Sequence, residues 1–208
     1  AYWYTNNECY TQEFKTQLIS WIEDNPYNLG INWVCPMEVA IRACNWILGW
    51  EFFRNSPLID ENFTLKFTKS LFQHGIYIMN NLENKGEITS NHYLSDIVGL
   101  LYLGFFFSHT EQGKKWKQFA VSELINEMQK QINPDGMDFE GSSCYHRLVL
   151  ELFFFSTLLI VLNDEGVIVG INRKMAEFLG EAQEKIIGKP IKVWLKNCLL
   201  YTSPSPRD

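Results

Sequence analysis

The chain has 208 residues, is 46% hydrophobic and carries a formal charge of −6 at pH 7, which suits one globular domain, or one domain plus a fragment, and makes a poor generic polyanion binder. Recognition of nucleic acid or of a sulfated polymer would have to rest on a local basic groove rather than on the overall field. The aromatic content of 15%, with seven Trp, favours a packed helical body whose loops offer flat stacking surfaces to sugars or bases.

Tyr10 to Glu23 reads as a first helix, with Phe14, Leu18, Ile19 and Ile22 on one side and Gln12, Lys15 and Glu23 on the other. The run from Asp24 to Asn32 breaks it, and Pro36 in a first-turn position opens a second helix reaching about Arg54 that is apolar nearly all round. Asn55-Ser56-Pro57 ends that helix, Asp60 can cap a third to about Leu82, and Asn84-Lys85-Gly86 closes it. A fourth helix from Asn91 carries a body, Ile97 to Phe107, with too few polar residues for a water-facing stripe. The fifth, Thr110 to Ile132, is charged except for a stripe through Trp116, Ala120, Leu124 and Met128, and the sixth, Ser143 to about Leu162, is again apolar.

Amphipathic and apolar helices that alternate in this way predict an all-α fold, a two-layer array of antiparallel pairs in which the apolar helices form the inner layer. The loops joining helices one to two, three to four and five to six then emerge at one end. Those loops hold Tyr27, Asn32 and Trp33; Asn91, His92 and Tyr93; and Asp135, Asp138, Glu140, Tyr145, His146 and Arg147. In the last of them Asn133-Pro134-Asp135-Gly136 stops a helix, Ser142 or Ser143 can cap the next, and a phenol, an imidazole and a guanidinium fall in its first turn. Such groups can donate, accept and move protons from a rigid base.

Three stretches carry a resemblance: N-P-Y-N-L-G-I-N-W-V-C-P-M-E-V-A-I-R-A-C-N-W, N-H-Y-L-S-D-I-V-G-L-L-Y-L-G, and D-G-M-D-F-E-G-S-S-C-Y-H-R-L-V-L-E-L-F. From Trp21 to about Leu162 the chain resembles the catalytic toroid of the heparinase II/III-like polysaccharide lyases. The resemblance implies an incomplete (α/α) toroid with a sugar groove, acting on a uronate-containing polysaccharide by β-elimination. It carries the carboxylate-neutralising Asn-His pair onto Asn91 and His92, the proton-moving tyrosine onto Tyr145 and the following histidine onto His146. The candidate sugar-binding residues are Tyr27, Asn32, Trp33, Arg42, Tyr93, Glu140 and Arg147. Removing a carbon-bound proton beside a carboxylate becomes feasible when fixed donors meet the developing enolate charge. A phenol gives up its proton only near pH 10, so a tyrosine in this role needs neighbouring cations, here Arg147 or His146. The resemblance also implies an acidic polysaccharide as partner, a periplasmic or secreted location, and a β-sandwich domain that follows the toroid in the family.

Structural alternatives stand beside these roles. Asn91 reads equally as an N-cap, His146 as the residue that orients Tyr145, His74 as a satisfied core histidine, and Glu38 with Arg42 as an i, i+4 pair. Cys9, Cys35, Cys44, Cys144 and Cys198 are odd in number with no C-x-x-C spacing, and the acids of the last loop do not follow a calcium-loop pattern. The reading therefore assigns no metal, no cofactor and no nucleic acid. The apolar run from Leu152 to Leu162 is shorter than the roughly 20 residues that span a bilayer, so no membrane anchor is expected.

The character changes after Leu162. The lyase domain is expected to occupy residues 1–162, and residues 163–197, with Asp164, Gly166, Asn172, Leu179, Gly180 and Gly188 at motif-like places, resemble the opening of a PAS sensor domain, a short α+β fragment. Residues 198–208 resemble a translated sequencing adapter and are expected to be disordered. With Ala1 in place of an initiator methionine, the whole reads as a truncated, assembled reading frame. Two rival functions follow from the same residues: a non-catalytic glycan-binding toroid, and the helical input region of a PAS-containing sensory protein.

Overall fold

The computed structural model describes residues 2–84 and 89–161. Within them the chain is helical: α1 (Tyr2–Thr5), α2 (Cys9–Asp24), a 3-10 turn (Ile31–Trp33), α3 (Pro36–Phe53), α4 (Glu61–Asn80), α5 (Asn91–Phe106), α6 (Glu111–Gln131) and α7 (Ser143–Val161). Each helix from α2 to α7 lies within two residues of its predicted ends, because the end signals act locally. Asp60 Oδ1 accepts the Phe63 N–H at 2.7 Å, Thr110 Oγ1 accepts the Gly113 N–H at 3.0 Å, and Pro36 opens α3. The short α1 has no such signals and was not foreseen. The PAS-like segment and the adapter-like tail lie outside the described residues.

Residues Ala1–Phe153 form one compact unit, and α7 continues past its edge into a second unit. In the first unit α5 packs against α3, α4 and α6, and α2 packs against α4. The nearly all-apolar α5 is thus enclosed, and Leu94, Ile97, Leu100, Leu101 and Leu103 are fully buried. Two glycines let its neighbours come this close. A Cβ on Gly99 would lie 2.6 Å from the Ala40 Cβ of α3, and one on Gly104 would lie 2.6 Å from the Lys117 backbone N of α6. Helices α3 and α7 are less enclosed than predicted, leaving Leu48 and Phe52, and Leu150, exposed. The two layers are recognisable nonetheless, with α3 and α5 inside and α2, α4 and α6 outside.

The starts of α3, α5 and α7 share one rim. Glu83, in the α4–α5 loop, accepts the Met37 N–H of α3 at 3.1 Å and pairs with His92 of α5 at 3.0 Å. Glu140, ahead of α7, bonds Asn91 at the first position of α5. These bonds hold together three loops that the sequence keeps far apart.

Candidate functional site

The α6–α7 loop is shaped by its turn residues. Gly136 adopts a φ of +87°, and its N–H donates to the Asn133 carbonyl at 2.9 Å, closing the turn that Asn133-Pro134-Asp135-Gly136 predicts. The Asn133 N–H donates to Met137 O at 2.9 Å and the Phe139 N–H to Gln131 O at 2.9 Å, so the loop folds back as a small hairpin. This sets Asp138 and Glu140 against the first turns of α5 and α7.

Both the backbone N–H and the side-chain Nδ2 of Asn91 donate to Glu140 Oε1, at 3.1 and 2.7 Å. Asn91 is only 4% exposed, and its Oδ1 has no partner among the described residues. The cap of α5 is Ser90, whose Oγ accepts the His92 N–H at 3.4 Å, so Asn91 is the first helical residue rather than the cap. From Glu140 the network continues. Its N–H donates to Asp138 Oδ2 at 3.3 Å, and the Asp138 N–H donates to His146 Nδ1 at 3.2 Å. His146 Nδ1 is therefore unprotonated, and in the neutral ring Nε2 carries the hydrogen. Burial raises the Asp138 carboxyl above its usual range. Tyr145, one residue before His146, is 47% exposed.

His92 is exposed, and its Nδ1 lies 3.0 Å from Glu83 Oε1, which orients the ring and leaves Nε2 uncommitted. Glu83 escaped the sequence reading, yet it is the junction of this corner. Its own N–H donates to Asp96 Oδ2 at 2.8 Å. Asp96 is fully buried and its carboxyl is pushed up to about 8 by that burial. No periodicity marks an acid in a loop as a junction, so Glu83 had no signal to give.

The α2–α3 side of the rim is built differently. Trp33 is 3% exposed, with its Nε1 donating to Asn25 O at 3.2 Å and its ring 4.8 Å from His74 and 5.4 Å from Tyr77. The expectation that Trp33 offers a stacking face to sugar is corrected: the ring is the core of its own loop. Tyr27, 37% exposed, stands edge-on to it at 5.2 Å and is the accessible ring there. Asn32 Nδ2 donates to Asn25 Oδ1 at 2.6 Å, bracing the same loop. Arg42 does not form the expected pair with Glu38. Its Nε donates to His74 Nε2 at 2.9 Å, its Nη2 donates to Asn32 O at 3.1 Å, and its guanidinium lies 4.2 Å from the Trp21 ring. Burial lowers the Arg42 pKa to about 10, which still leaves it charged. Buried His74, as predicted, is satisfied: Nδ1 donates to Ser70 O at 2.7 Å, and burial with the Arg42 charge pushes its pKa down to about 3.

A further rim expectation is corrected. Tyr93 is 2% exposed, with its hydroxyl donating to Glu123 at 2.6 Å, so it ties α5 to α6 and does not wall a groove. A buried first-turn residue on an enclosed helix faces a neighbour, not the mouth. Arg147 is exposed and pairs with Glu151 at 2.9 Å, one turn along α7. Among the described residues, Arg42 and Arg147 each have partners, and Glu83, Asp138 and Glu140 bring acidic groups to the mouth.

The Heparinase II/III N-terminus family matches residues 1–175. Among curated relatives, the heparin-sulfate lyase of Pedobacter heparinus is 30% identical over 158 residues, covering 74% of this chain and 23% of its own length. That of Bacteroides stercoris is 25% identical over 174 residues, covering 74% of this chain and 25% of its own. The chain therefore spans about a quarter of these relatives. A crystal structure of a heparan sulfate lyase HepC mutant from Pedobacter heparinus superposes with a TM-score of 0.61 at 28% identity, over 76% of this chain and 25% of that one. A second HepC structure, at 24% identity and a TM-score of 0.62, covers 96% of this chain and 28% of its own, and supports the helical fold. No helix among the described residues is long and apolar enough to cross a membrane. By sequence match and by fold, this chain belongs to the heparinase II/III family.

Proposed function

We propose that this chain is the part of a polysaccharide lyase that binds a uronate and moves its proton, in a β-elimination acting on a heparan-sulfate-like glycosaminoglycan. The observation that carries the reading is the hydrogen-bonded path from Asn91 through Glu140 and Asp138 to His146, which links the first turns of α5 and α7 through the loop before α7. The relatives' names supply the polymer class.

In the reaction a base removes the proton beside the uronate carboxylate, the bond from the adjacent ring carbon to the glycosidic oxygen breaks, and a carbon–carbon double bond forms. Negative charge builds on the carboxylate as an enolate. Asn91 keeps one Nδ2 hydrogen on Glu140, and the second is the donor for the substrate carboxylate. His92, with Nδ1–H on Glu83, contributes an Nε2–H to the same anion in the form of the ring that carries both hydrogens. Tyr145 takes the carbon-bound proton or returns one to the leaving oxygen. Either His146, through Nε2, or Arg147, whose Nε pairs with Glu151, serves Tyr145. Tyr27 is the exposed ring for sugar stacking, while Asn32, Trp33 and Arg42 shape the loop beneath it. In this reading the protein works in the periplasm or outside the cell, where such polymers are found.

The test is ultraviolet absorbance of heparan sulfate, and of several other uronate polymers, incubated with a chain extended to the length of its relatives. A rise from the unsaturated uronate product is expected. Binding without any rise on any of these polymers would replace the lyase with a glycan-binding toroid.

A further inference from the structure

We propose that Cys35 Sγ, the Glu83 carboxylate and His92 Nδ1 form a site for a borderline-soft divalent cation, zinc in the first place. The three come from separate segments: the residue before α3, the α4–α5 loop and the second residue of α5. Their donor atoms lie within 4.8 Å of one another. Glu83 Oε1 is 3.0 Å from His92 Nδ1, and Glu83 Oε2 is 4.0 Å from Cys35 Sγ. Around a tetrahedral zinc, with bonds of about 2.0–2.3 Å, neighbouring donors stand roughly 3.3–3.6 Å apart. The observed spacings, 4.8 Å at most, stand about an ångström or less beyond these values.

The donor set decides the class of ion. A thiolate, an imidazole and a carboxylate suit zinc, whereas calcium and magnesium take oxygen alone. Three protein donors leave a fourth position for water. The supports expected around metal ligands are also present: Glu83 Oε2 accepts the Met37 N–H at 3.1 Å, and the Glu83 backbone is anchored on Asp96 at 2.8 Å. A cleft of about 390 Å³, lined by Val34, Pro36, Tyr77, Asn81, Leu82 and Glu83, borders the site at Glu83. Without metal, burial and the Glu83 charge keep the Cys35 thiol protonated. Binding therefore releases that proton and tightens as pH rises. The site stands whether or not the lyase reading holds, and a cation on Nδ1 leaves the Nε2 hydrogen of His92 free to donate.

The experiment is a titration of the chain with Co²⁺, followed by its visible bands and by the near-ultraviolet thiolate-to-cobalt absorption, with Zn²⁺ added to displace it. The thiolate band is expected in the wild type and in Cys9→Ser and Cys144→Ser, and is expected to vanish in Cys35→Ser. His92→Ala, which removes an exposed side chain, should weaken binding by more than the roughly 10- to 100-fold that loss of an orienting partner costs. Far-ultraviolet circular dichroism checks that each variant stays helical. A wild type with no thiolate band, a band that survives Cys35→Ser, or a helical His92→Ala that binds as tightly as wild type would each overturn the proposal.

Discussion

At the α2–α3 corner of the rim, Arg42 is sandwiched among Trp21, Trp33 and His74, and nearly every polar atom is turned inward to hold a loop. At the α5–α7 corner, Asn91, Glu140, Asp138 and His146 form an open chain that ends beside an exposed tyrosine, with Asn91 Oδ1 and Asp138 Oδ1 left without partners among the described residues. The first corner has its hydrogen bonds satisfied and its rings packed. The second keeps unspent donors and acceptors, which cost stability where they are buried and are the groups a ligand can use. The contrast teaches that one corner is scaffold and the other is chemistry, although both are rich in the same residue types.

Exchanging damage between the corners breaks or sharpens this division. The largest effect is expected from Tyr145→Phe in a chain of full family length: turnover should fall by about 10²- to 10⁴-fold, while the melting temperature and polymer affinity stay near wild type. Trp33→Ala should do the reverse. It empties a site that is 3% exposed and deletes the bond to Asn25, so a loss of about 3–5 kcal/mol in chemical denaturation is expected. Its turnover, measured where the variant remains folded, should change by less than about tenfold. Were Trp33→Ala to abolish turnover in a folded protein, or Tyr145→Phe to unfold it, the division would be wrong.

How legible these corners were in the sequence follows from the range of the forces involved. Helix ends were readable because Asp60, Thr110, Pro36 and Gly136 act on backbone groups within a few residues of themselves. The enclosure of α5 was readable too, since no stripe of its surface could face water. Side-chain direction was not. Trp33 and Tyr93 sit in loops and first turns that face the mouth in a topological sketch, yet one ring fills its own loop and the other bonds to α6. Arg42 had Glu38 at helical spacing, but a guanidinium that reaches two indole faces, an imidazole and a carbonyl gains more than a surface pair provides. Glu83 gathers residues 48 positions behind it and 9 ahead, and no local pattern encodes such a junction.

Two of the buried titratable groups, His74 and Asp96, oppose one another. His74 is held neutral, its pKa pushed down to about 3 from 6.5, first by burial and then by Arg42. Between those values the unfolded chain binds a proton that the folded chain refuses, so stability rises with pH. Asp96 is held protonated, its pKa raised to about 8 from 3.8 by burial. Between those values the folded chain keeps a proton that the unfolded chain has lost, so stability falls with pH. From 3.8 to 6.5 the two slopes work against each other, and above 6.5 only that of Asp96 remains. Asp96→Asn keeps the shape and an acceptor for the Glu83 N–H while removing the titration. The wild type is expected to lose about 2 kcal/mol between pH 6.5 and 8, and Asp96→Asn to lose almost none, in denaturant melts across that range. Parallel pH profiles for the two proteins would show that Asp96 is charged in the folded state and that the α5–α7 corner rests on a buried anion.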